Sequence, residues 1–129
     1  MGRTVKCTSE TRRVRLRKAL QFADAADAVA DLGDDIGDAY VTLLVHAGIA
    51  AADVLCCARL GEHAVGENHT DAVALLAKVD RKIADDLRTL LGLKTKAGYS
   101  HQATSKSDRM RAERATGRLV RAANDLAQG

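Results

Sequence analysis

The chain contains no proline, and 24 of its 129 residues are alanine. Both facts push it toward helix: proline is the strongest helix breaker, and alanine enters a helix at the least cost. Only Phe22, Tyr40 and Tyr99 are aromatic. Val, Ile and Thr do not cluster into alternating runs, so the pattern of a half-buried strand is missing. The expected fold is all-α. Alanine buries little area, so stability has to come from close approach of helices. Covering one face with a second copy would add burial, and a homodimer is the expected assembly.

A length of 129 residues suits one domain with one core, and 47% hydrophobic against 29% charged residues suits a folded chain. Residues 1–8 read as a basic N-terminal segment and 9–129 as a single helical domain. No run of about 18 apolar residues stands out, so no membrane-spanning helix is expected. The basic N-terminus also lacks the apolar stretch of a secretory signal. Of the three cysteines, Cys56 and Cys57 are adjacent and poorly placed to bridge each other. An odd count makes no disulfide framework, so the expectation is reduced, buried thiols and a cytoplasmic protein.

The net charge of +3 hides three blocks. Residues 1–18 carry +6, residues 19–80 carry −9, and residues 81–129 carry +6. Such blocks either pair within the fold or leave a basic face for an acidic partner or nucleic acid.

Periodicity and caps map the helices. A first helix is expected from Ser9 to Leu32, capped by Ser9 or Thr8 and stopped by Gly33. Its basic first half opposes the helix dipole, a hint that these charges serve another purpose. Residues 33–37 read as a turn. A second helix from Asp38 to Leu60, stopped by Gly61, is apolar nearly all round between Val41 and Ala58, which marks it as the central helix. Gly61 to Asn68 reads as a connection, with Gly66, Glu67 and Asn68 as loop formers. Thr70 is the expected cap of a third helix, which breaks near Asp80 and ends at Gly92. Residues 93–106 have weak periodicity and read as a loop. A last helix from Ser107, its expected cap, runs to Ala127. The sum is an up-and-down bundle of four to five helices.

Few residues stand out as carriers of chemistry. His46 and Asp53 lie seven apart on the apolar second helix, a possible buried polar site whose groups need hydrogen-bond partners. The four histidines show no metal-ligand spacing, and no metal or other cofactor is expected. Arg111, Arg114, Arg118 and Arg121 recur at spacings of 3, 4 and 3 and form one stripe. It suits phosphates of nucleic acid or the carboxylates of a partner, and the acidic residues 24–38 are the candidate internal partner. Lys94, Lys96, Tyr99 and His101 gather cations, a possible stacking ring and a group that titrates near neutrality.

The stretches AGIAAADVL, LGEHAVGENHTDAV and LKTKAGY, followed by SDRMRAERATGRLVRAAND, resemble the HEPN helical-bundle proteins, over about residues 38–127. The resemblance implies a four- or five-helix bundle, often dimeric. It further implies a place in toxin–antitoxin or defence systems, with a small nucleotidyltransferase as a possible antitoxin partner. Active members are metal-independent RNases with an Arg-x4-6-His motif in a dimer cleft. This chain departs there. Arg59 and His63 have only three residues between them, and Lys94 or Lys96 with His101 reproduces the spacing with lysine, which lacks the bidentate fork. The expectation is a non-catalytic HEPN-like protein that binds RNA, a nucleotide or a partner protein. The alternatives are an RNA-cleaving toxin using Lys94, Lys96, Tyr99 and His101, and a structural dimerisation module.

Overall fold

The computed structural model describes residues 3–66 and 68–128. A short strand β1 (Thr4–Lys6) leads into α1 (Ser9–Val29), which tightens into a 3-10 turn over Ala30–Leu32. A second 3-10 turn (Asp34–Ile36) precedes α2 (Gly37–Leu60). Strand β2 (Glu62–Ala64), α3 (His69–Ala77), α4 (Arg81–Gly98) and α5 (Lys106–Gln128) complete the chain. The fold is an all-α helical bundle with one small antiparallel ladder, in which Val5 stands opposite His63.

The helix ends follow local chemistry. Thr8 caps α1: its side chain accepts from the Thr11 amide, and the Thr11 hydroxyl accepts from the Thr8 amide in return. Gly61 ends α2 at φ +75°, the left-handed region that glycine enters without a Cβ penalty. The expected break near Asp80 is a cap, with one carboxylate oxygen accepting from the amides of Lys82 and Ile83.

Other boundaries differ from expectation. Asn68, not Thr70, caps α3 through the Asp71 amide. Gly92 does not end α4, which runs on to Gly98, so the loop is confined to residues 99–105. Leu90, Leu91 and Leu93 are buried, and this packing holds a segment whose own periodicity is weak. Ser105, not Ser107, caps α5: its hydroxyl accepts from the Asp108 amide, and Asp108 accepts from the Ser105 amide. Glu67, expected in the connection after α2, lies outside the described residues.

Helix α2 is the centre, as its apolar run requires, and packs against α1, α4 and α5. By length and composition it could cross a membrane, contrary to the expectation that no such stretch exists; 67% of its most apolar window is buried inside the bundle. Small residues set the spacing. A Cβ on Gly48 would sit 2.2 Å from Leu90 Cδ1, so α2 and α4 meet where a side chain is missing. The Thr116 hydroxyl donates to the Leu44 carbonyl at 2.8 Å and ties α5 to α2.

Two contacts tie the described part of the N-terminal segment, residues 3–8, to the helices. Cys7 is joined to Cys57 by a disulfide with the Cα atoms 5.5 Å apart, and β1 pairs with β2. This corrects the expectation of three reduced thiols. Cys56 and Cys57 do not bridge each other, but Cys57 meets a cysteine 50 residues away, a pairing that spacing within the chain does not reveal. Cys56 is the free, buried cysteine. Burial foremost, then the charges of Asp53 and Glu62, pushes its thiol up to about 12.

Candidate anion-binding site

Helices α1 and α2 run antiparallel, so Arg15 meets Asp53 and, one heptad along, Phe22 meets His46. The Arg15 guanidinium donates to an Asp53 carboxylate oxygen at 2.5 Å. Strand β2 brings His63 to the other carboxylate oxygen, with Nδ1 at 3.8 Å from it and at 2.9 Å from the Ala64 carbonyl. Burial raises the Asp53 carboxyl above the ordinary range, while the charges of Arg15 and His63 pull it back.

These groups line a cavity of about 240 Å³. Lys94 of α4 and the first residues of α3, Asn68 and His69, complete its polar wall, and Ile49, Leu87 and Leu91 form part of its apolar wall. Among the described residues Lys94 has no ion-pair partner, although it is half-buried. Arg15 Nε is buried and finds no acceptor. Both features leave cationic or donor capacity unspent, which a buried polar group retains only at a cost.

His46 and Asp53 lie along the side of α2 that Lys94 approaches, but they do not form a buried pair. His46 is exposed and stacks on Phe22, with ring centroids 5.4 Å apart. Partial burial, then the Lys94 charge, lowers its pKa below the usual histidine value.

Lys94, Lys96, Tyr99 and His101 do not converge. Lys94 alone of the four lines the cavity. Lys96, two residues on, points to α5 and pairs with Asp108 at 2.7 Å. Tyr99 lies just past α4 and is 80% exposed, and His101 is exposed in the following bend.

The arginine stripe of α5 divides in use. Arg118 forms a two-pronged pair with Asp86 of α4 at 2.7 and 2.9 Å, and Arg111 pairs with Asp108 on its own helix. Among the described residues neither of these two arginines takes a carboxylate of 24–38, the expected partner. Arg121 lines a groove with Asp27, Tyr40 and Glu113, where burial first and Glu113 next push the Tyr40 hydroxyl up to about 12. Arg114 is exposed and has no ion pair among the described residues.

Sequence reasoning singled out Asp53 and Lys94 but missed Arg15, His63 and His69 as their neighbours. The available signal was the lone acid within an apolar helix, which demands a counter-ion without naming it. No group of three or more potential metal ligands occurs among the described residues. Comparison of the chain with family models, curated proteins and solved structures finds no match.

Proposed function

We propose that this protein is a non-catalytic helical module that binds RNA through a basic face built on α1. The observation that carries the reading is the fate of the basic block at residues 1–18. Only Arg13, with Glu10, and Arg15, with Asp53, form ion pairs among the described residues. Arg12, Arg17 and Lys18 are exposed and have no ion pair among the described residues. At 100° per residue, Arg12 and Lys18 lie about 60° to either side of Arg15, so they flank the cavity on α1. Lys94 extends the same positive region from α4. Cations placed against the dipole of their own helix, without carboxylates to neutralise them, suit a polyanion.

The scattering of Lys94, Lys96, Tyr99 and His101 favours binding over cleavage. The likeness to HEPN-like proteins agrees with RNA as the ligand, and a homodimer in a toxin–antitoxin or defence setting belongs to that same reading. The test is binding of a fluorescent single-stranded RNA across a salt series, with magnesium chelated. Affinity should fall steeply with salt, and R12Q/K18Q should flatten the log–log slope by roughly 0.7 per lost contact. The RNA should remain full length. Binding that ignores salt, or that is unchanged in R12Q/K18Q, overturns the proposal.

A further inference from the structure

We infer that the cavity between α1, α2, α3 and α4 is a binding site for a phosphate monoester, the end group of an RNA or of a free nucleotide. The inference deepens the RNA-binding reading and rests on it for the RNA end, but the cavity argument stands on its own geometry.

Charge is the first consideration. Asp53 is the acid among the described lining residues, and Arg15 already neutralises it. Lys94 remains, half-buried and without a carboxylate partner among the described residues. The site therefore carries an unmatched positive charge in a recess where water screens poorly, and a compact anion is what such a recess binds best.

Donor geometry is the second. Arg15 turns one terminal nitrogen to Asp53 and lines the recess with its cationic fork, although its Nε is itself buried from solvent. His63 donates Nδ1–H to the Ala64 carbonyl, so its Nε2 is a donor to a ligand only in the protonated ring, the form an anion favours. His69 and the capped start of α3 stand at the same wall, adding a ring and the positive end of a helix dipole. Guanidinium, ammonium and imidazole groups around one recess match the several acceptor oxygens of a phosphate.

Size is the third. At about 240 Å³ the cavity falls below the range of ~300–1,000 Å³ common for drug-sized ligands. That volume holds a terminal phosphate with its sugar and is too small for several nucleotides of a strand. Ile49, Leu87 and Leu91 offer the sugar an apolar wall. Outside lie Arg12 and Lys18, in position to follow the next phosphates of an RNA.

The experiment compares four probes with wild type and with K94Q: inorganic phosphate, AMP, and one RNA oligomer carrying either a 5′-phosphate or a 5′-hydroxyl. Calorimetry reads the small ligands and anisotropy the oligomers, and circular dichroism checks that the helices persist. The 5′-phosphorylated RNA should bind about tenfold tighter than the 5′-hydroxyl form, and K94Q should bring the ratio close to one. H69Q, at a residue with no hydrogen bond or ion pair to Arg15 or Asp53 among the described residues, should reduce the same ratio if K94Q perturbs the fold. AMP or phosphate binding that K94Q abolishes supports the site even if neither RNA binds; in that case the RNA reading fails and the ligand is a free nucleotide. Equal binding of both RNAs, with no binding of AMP or phosphate, overturns the inference while leaving RNA binding by α1 intact. Discrimination that survives in both K94Q and H69Q overturns it too.

Discussion

Asp108 shows how much one side chain can join. It is buried, accepts from the Ser105 amide at 2.9 Å to start α5, and pairs with Lys96 at 2.7 Å and Arg111 at 2.8 Å. The Lys96 contact first, and the Ser105 amide next, hold its carboxyl well below the usual carboxylate range. A depressed carboxyl contributes stability above its unfolded pKa of ~3.9 and loses it as pH falls toward the folded value. Asp108→Asn should therefore lower stability at pH 7 by about 1–2 kcal/mol. The deficit should shrink below about pH 4, where the unfolded wild-type chain takes up a proton that the folded carboxylate does not. Urea midpoints at pH 7, 5 and 3 check this; an equal deficit at all three would mean that packing, not charge, is what Asp108 supplies.

At the scale of elements, the bundle depends on places where helices lack side chains. Gly48 faces Leu90, which is fully buried, and Leu119 Cδ1 lies 3.4 Å from where a Cβ would stand. In an exposed helix, Gly→Ala would stabilise by up to ~1 kcal/mol. Here the added methyl overlaps Leu90, and a close-packed neighbourhood gives it little room to rotate. Gly48→Ala should destabilise by roughly 1–3 kcal/mol and lower the melting temperature. A higher melting temperature would show that Leu90 moves aside freely and that close α2–α4 approach is not needed. The continuation of α4 past Gly92 belongs to the same scale. The glycine has no neighbour within 4 Å of a Cβ and merely costs propensity, while Leu90, Leu91 and Leu93 pull the segment onto the core.

For the whole molecule, the Cys7–Cys57 bond closes a long loop around α1 and α2. By loop-closure entropy a separation of 50 residues corresponds to roughly 4 kcal/mol of stabilisation. A three-residue ladder such as β1–β2 is marginal alone, so it depends on this tether. Cys7→Ser should shift the urea midpoint downward by several tenths of its wild-type value and release β1 from exchange protection, with helix content kept. In the native wild type, Cys56 should resist alkylation at pH 8, since its thiol stays protonated and buried, and one thiol per chain should react after denaturation without reductant. Three reactive thiols would refute the disulfide.

The amino-acid order alone dictates that the chain is helical, where α1 begins and α2 ends, and that residues 41–58 form the centre. These follow from interactions within a few residues: alanine content, missing proline, a cap at Ser9 or Thr8, a break near Asp80, and the glycine stop at Gly61. It also showed that Asp53 and the basic block at 1–18 needed partners. What those partners are follows from how the helices dock. Arg15 and Asp53 are 38 residues apart, and His63 reaches the same carboxylate only because β2 folds back on β1. The Arg118–Asp86 pair and the disulfide likewise join positions that no local period relates. A periodicity argument gives each side chain its angle around its own helix, and that angle admits many partners. Which one it meets depends on how the helices dock, and docking is set by the sum of packing around Gly48 and the alanines of α2 rather than by any neighbouring residue in the chain.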